Sequence, residues 1–142
     1  MQQVIDDVRE HFQNNFPEEL PVENAYLPIG VFLAWVIEQE LYSSFFEDEF
    51  ETQILRFKRH ETCCGILAEL WDGYVAEEQL NEEGKKFAQY YYGNGIYLKD
   101  FQETLGKNLP SIYYVADNWQ NYNRMRCRID ERFYDWKFMS QY

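Results

Sequence analysis

Basic residues are missing from a long part of this chain. Between Glu10 and Leu55 there is no Lys or Arg, while ten acidic residues fall in the same interval: Glu10, Glu18, Glu19, Glu23, Glu38, Glu40, Glu47, Asp48, Glu49 and Glu51. A second acidic set, Glu69, Asp72, Glu77, Glu78, Glu82 and Glu83, has no basic residue inside it before Lys85, and the net charge is −12. A surface of that sign repels phosphate backbones, which argues against direct nucleic-acid binding, and it favours encounter with a basic protein. The bland alternative is a solvated acidic surface that keeps the chain soluble.

Long apolar runs are also lacking. The best, Ile29 to Ile37, has nine residues before Glu38, against about 18 for a membrane span. The first residues, MQQVIDDVREHF, carry acidic charge and no apolar stretch, so no secretory leader is expected and a cytoplasmic location is. Cysteine is scarce: Cys63 and Cys64 are neighbours and Cys127 is alone, which suits neither a disulfide framework nor zinc spacing, so free buried thiols are expected. The two histidines, His11 and His60, show no spacing to a nucleophile or second ligand and read as surface or capping residues. Gly93-Asn94-Gly95 lacks the G-x-G-x-x-G pattern, and no phosphate-binding G-x-x-x-x-G-K-[ST] occurs, so no cofactor or metal is expected.

Aromatics, by contrast, are plentiful at 19% of residues, with twelve tyrosines. Each buried ring removes about 150 to 250 Å² from water, so a chain of 142 residues can close one sizeable core. The apolar spacing is helical almost throughout. Val4, Ile5, Val8 and Phe12 suggest a first amphipathic helix, and three prolines between Phe16 and Pro28 suggest a loop. Ile29, Phe32, Leu33, Val36, Ile37 and Leu41 form the stripe of a central helix.

Phe46, Phe50, Ile54 and Phe57 mark the next helix, acidic early and basic late as the helix dipole prefers. Thr62 is the expected cap of a segment with Cys63, Ile66, Leu67, Leu70 and Trp71 on one stripe, stopped at Asp72-Gly73. Asn81 should cap a helix carrying Phe87, Tyr90 and Tyr91 that stops at Gly93 and Gly95; a short helix follows over LKDFQETLG. Ile112 to Val115 are expected to be extended, and Asp117 to cap a long last helix with Trp119, Tyr122, Arg126, Ile129, Phe133 and Trp136 on its stripe. The fold class is therefore all-α: one domain over residues 1–142 with six or seven helices.

Consecutive helical residues are about 100° apart, so Tyr90, Tyr91 and Tyr92 cannot all face the core. At least one must face outward, either as a cover over the core or as an anchor for a partner.

The blocks IGVFLAWVI, LNEEGKKFAQYYYGNGIYLKDF, LPSIYYVADNWQNYNRM and IDERFYDWK resemble, in this order, an uncharacterised bacterial all-helical family with G-x-F-L-A-W, F-A-x-x-Y-Y-G, Y-L-x-D-Y, L-P-S-x-Y-x-V-A-D-x-W-x-N-Y and I-D-x-R-F-x-x-W patterns. Here Phe101 stands in place of the last Tyr of the third pattern, and Glu131 in place of a basic residue in the last. The family is similar to immunity proteins of contact-dependent or polymorphic toxin systems. That resemblance implies no enzyme activity and one partner, a cognate toxin domain, with a basic nuclease the type its charge would complement. The candidate contacts are Glu47, Asp48, Glu49, Glu51, Glu77, Glu78, Glu82 and Glu83, with Tyr91 or Tyr92 as anchors. The alternatives are a small hydrolase using paired carboxylates and a regulatory protein-binding domain without a toxin.

Overall fold

The structure, a computed structural model, describes residues 3–140. A short strand β1 (Val4–Asp7) leads directly into α1 (Val8–Gln13), and a 3-10 turn at Val22–Tyr26 leads into α2 (Leu27–Gln39). Next come α3 (Ser44–Lys58), α4 (Cys64–Leu70), β2 (Tyr74–Ala76) and a 3-10 turn at Glu77–Gln79. The chain continues through α5 (Glu82–Tyr91), α6 (Ile96–Leu105), a turn at Ile112–Tyr114 and the 22-residue α7 (Trp119–Ser140). Seven α-helices around one core, with a long last helix, make the fold all-α as expected; among the described residues the only sheet is the β1–β2 pair.

α2 is the axis of that core. Every residue from Leu27 to Ile37 is buried, so the helix is apolar on all sides rather than along one stripe. Such a helix must be covered on every face. α4 crosses it closely, and α7, α3 and β2 supply further contacts. The crossing explains Gly30. A Cβ at that position would lie 1.9 Å from the Cys64 carbonyl oxygen at the start of α4, so any larger residue would push the two backbones apart. Pro28 is tolerated in the first turn, where its missing N–H needs no partner.

The fold departs from the sequence reading at several ends. Val4–Asp7 is not the start of a helix but a strand, antiparallel to Tyr74–Ala76 with an irregularity between Val4 and Asp6. The β-branched Val4 and Ile5 suit the strand, and the pairing turns Asp6 inward. Cys63, not Thr62, occupies the cap position of α4; Thr62 is buried instead. Asn118, not Asp117, caps α7 through a 2.8 Å bond from the Asn121 N–H. Asp117 accepts from the Gly65 N–H at 3.0 Å and so ties the approach of α7 to α4. Ile112 to Tyr114 turns rather than extends. The buried side of α7 runs Tyr122, Met125, Ile129 and Phe133, so Arg126 sits beside the stripe rather than in it, half-buried.

The expected cap holds at α5, where Asn81 Oδ1 accepts from the Gly84 N–H at 2.8 Å; α3 is capped by Ser43, whose Oγ accepts from the Phe46 N–H at 3.1 Å.

Gly30→Ala tests the α2–α4 crossing. Helix propensity alone favours Ala by about 1 kcal/mol, yet overpacking against the Cys64 carbonyl should outweigh that and leave the variant about 1–3 kcal/mol less stable by urea denaturation. A neutral or stabilised variant would show that the crossing has room to relax.

Candidate functional site

Between Gln89 and Phe101 the rings of Tyr91, Tyr92, Tyr97 and Phe101 are buried, while Gln89, the Gly93–Gly95 turn and Lys99 are exposed. Tyr91 is fully buried and donates to Asp100 Oδ2 at 2.8 Å. Asp100, 1% exposed, also accepts from Arg132 Nε and a terminal guanidinium nitrogen at 2.9 and 3.0 Å, with Arg128 Nε 3.4 Å away. Tyr97 donates to the Pro28 carbonyl. Tyr92 donates to Asp6 Oδ2, which also accepts from His11 Nε2 at 2.7 Å, and the other His11 nitrogen meets the Tyr113 hydroxyl at 2.7 Å. Neither Tyr91 nor Tyr92 is available as a partner anchor, because both rings complete the core and both hydroxyls are committed to buried carboxylates. Tyr90 is the half-exposed member of the three and packs on the edge of the core. The turn that follows is a helix stop: Gly95 alone of its two glycines takes a left-handed φ, +82°, and Gly93 does not.

Burial raises the Tyr91 pKa, and the Asp100 charge raises it further. For Asp100 itself, burial pushes upward, but the hydrogen bonds from Arg132 and Tyr91 and the charges of both arginines win and hold the carboxyl below its ordinary value. Tyr113 is pushed up to about 12 by burial and by the Asp6 charge.

The surface reading of His11 is corrected by the same network: it is 4% exposed, because β1 carries Asp6 inward to meet it. Asp6 and His11 form the one His–carboxylate pair at ion-pair distance among the described residues. Each ring nitrogen of His11 has a partner and Asp6 has three donors, counting the Asp7 N–H, so the pair ties β1 and α1 to α5 and the Ile112–Tyr114 turn. His60 is exposed and stacks on Trp119 with ring centroids 3.9 Å apart. Cys64 is buried, Cys63 half-buried and Cys127 exposed, so the expectation of buried thiols fails at Cys127. Among the described residues no three His, Cys, Asp or Glu side chains converge as a metal site would need.

The two acidic candidate sets part company. Glu77 accepts from Gln89, Glu78 from the Tyr74 hydroxyl at 2.6 Å, Glu82 from Lys85 at 3.1 Å, and Glu83 lies 3.6 Å from Lys137. That set is largely matched by its neighbours. Glu47, Asp48, Glu49 and Glu51 are exposed on α3, and none belongs to an ion pair within the described residues.

Three of these unmatched carboxylates, Asp48, Glu49 and Glu51, edge a groove. Trp71, just past the end of α4, packs against Phe45, Phe46 and Phe50 of α3 with centroids 6.0, 4.7 and 5.2 Å away. Phe46 and Phe50 are buried by that contact, whereas Phe45 is 47% and Leu70 51% exposed. Two hollows lie along the seam. One of about 360 Å³ is lined by residues 48 to 53 and Leu70; the other, about 300 Å³, by Phe45, Glu49, Phe50, Leu70, Trp71, Asp72 and Tyr74. They share Glu49, Phe50 and Leu70, and Phe50 leaves helical geometry (φ −124°, ψ 16°), bending α3 in the middle of its acidic run. Tyr74 links Glu78 to the far end, and burial with the Glu78 bond pushes its pKa up to about 12. The Trp71 N–H leans on the Tyr74 phenol enough to temper that rise, but it completes no hydrogen bond.

Sequence reasoning placed Leu70 and Ile66 on the inner stripe of α4; both are about half exposed, because that helix of seven residues buries only Cys64, Gly65, Leu67 and Ala68. The adjacent Phe45 and Phe46 carried the missed signal, since neighbouring helical residues diverge by about 100° and one of the pair must face out.

The fold and this groove define a small helical protein whose distinctive open surface is acidic and aromatic. By sequence, the chain belongs to the family described as Domain of unknown function (DUF7832), whose model matches residues 4–115. No curated protein and no solved structure matches it. The family match stops short of α7, although α7 supplies Arg132 to Asp100 and Asp130 to the Trp35 indole.

The depressed Asp100 pKa sets a pH dependence. Its stabilisation is present above the unfolded-state value and is lost as pH falls through the folded one, that is, below about pH 4. Asp100→Asn should cost about 3 kcal/mol at neutral pH by chemical denaturation. Stability of the variant should then fall less steeply below pH 4 than that of the unchanged chain. Equal acid slopes would overturn the assignment.

Proposed function

We propose that the chain is an immunity protein that binds a cognate bacterial toxin domain and neutralises it by covering its active site, with a basic nuclease as the toxin type the charge favours. The observation that carries this reading is the α3 face: four carboxylates without a matching cation, next to exposed Phe45 and Leu70. Charge on such a rim steers a basic partner into encounter, and buried apolar contacts slow its release. The sequence resemblance to immunity proteins points the same way. On this reading the chain acts by binding rather than by catalysis, uses no cofactor, and works in the cytoplasm before its toxin reaches a substrate. No helix among the described residues is long and apolar enough to cross a membrane, which is compatible with that location.

The test is binding and growth rescue with the toxin domain encoded beside this chain. Tight binding and rescue are expected; absence of binding at micromolar concentration and low salt would end the proposal. Charge reversal at Asp48, Glu49 and Glu51 together should lower the association rate by about tenfold or more at low salt, with a smaller change in dissociation. A change confined to dissociation would contradict steering.

A further inference from the structure

We infer that the α3–α4 groove recognises an arginine side chain of the partner, its stem on Leu70 and the Phe45 ring and its guanidinium between Glu49 and Asp72. This rests on the reading of the groove as a protein-binding surface but not on the partner being a toxin. At about 300 Å³ the hollow that holds Trp71 is at the small end of ligand pockets and suits one long side chain. Its walls are of two kinds. Phe45, Phe50, Leu70 and Trp71 offer aromatic and aliphatic surface, and Glu49 and Asp72 offer carboxylates, with no Lys or Arg lining either hollow.

A ligand must therefore be both cationic and able to lie on rings. Arginine meets both needs better than lysine: its guanidinium is planar, sheds water more readily, stacks on aromatic faces and bridges two carboxylates with a fixed fork of donors. Phe45, 47% exposed, and Leu70, 51% exposed, are the open apolar surface of this hollow, since Phe50 and Trp71 are themselves buried. Asp72 is exposed at the turn that ends α4.

The test is NMR titration of the full ¹⁵N-labelled chain with hexa-arginine and hexalysine peptides at matched ionic strength. Hexa-arginine should bind about fivefold tighter or more. It should also shift the Phe45, Glu49 and Leu70 amides. Glu49→Gln and Leu70→Ser, both at exposed positions, should each weaken hexa-arginine binding several-fold while the rest of the spectrum stays that of the folded chain. Equal affinity for the two peptides, or unmoved Phe45, Glu49 and Leu70 amides, would overturn the inference. If the neighbouring toxin fails to bind but hexa-arginine behaves as expected, the immunity reading falls and the arginine site stands. If the toxin binds and neither substitution weakens it, the arginine site falls alone.

Discussion

The structure is organised by the need to cover α2. Eleven consecutive residues, Leu27 to Ile37, are withdrawn from water, and at about 25 cal/mol per Å² no arrangement that left one side of this helix exposed would compete. A helix buried all round needs neighbours all round. The chain meets that need by laying α4 across one side at glycine-permitted distance and by bringing α7 back from the far end of the sequence. The strand pair and the short turns carry the chain between these covers.

Apolar coverage alone does not select one arrangement, and three polar ties restrict it. The Trp35 indole donates to Asp130, so α7 has one register on α2. Asp100 gathers Tyr91, Arg128 and Arg132, joining α5, α6 and α7. Asp6 gathers His11 and Tyr92, anchoring β1 and α1 to the end of α5. Each places a charge or polar group where an unmatched one would cost several kcal/mol, so wrong packings are penalised more than the right one is rewarded. The blocks IGVFLAWVI, LNEEGKKFAQYYYGNGIYLKDF and IDERFYDWK supply many of these groups, among them Trp35, Tyr91, Tyr92, Asp100, Asp130 and Arg132. The open surface of α3 carries none of them.

Much of this was legible in the sequence. A count of six or seven helices, their approximate extents and the centrality of Ile29 to Ile37 follow from apolar spacing, and the Asn81 cap from residue type. Boundaries that depend on distant partners were not legible. Val4–Asp7 is a strand only because Tyr74–Ala76 lies beside it, and Asp117 leaves the cap of α7 because the Gly65 N–H competes for it. Tyr91 and Tyr92 illustrate the same limit: the sequence requires one of three tyrosines to face out, while Asp6 and Asp100 decide which two do not.

For the candidate site the division is similar. The sequence by itself determined that an acidic run without basic residues would lie on a helix, because charge and helical period are local properties of residues 47 to 51. Only the tertiary structure decided that this run stays unmatched while Glu83 meets Lys137 of α7, and that Leu70 and Trp71 come alongside Phe45 to form a groove. The physical reason is that pairing and exposure depend on which elements pack together. That choice is made by the burial of α2 and the polar ties around it, not by any stretch of sequence taken alone.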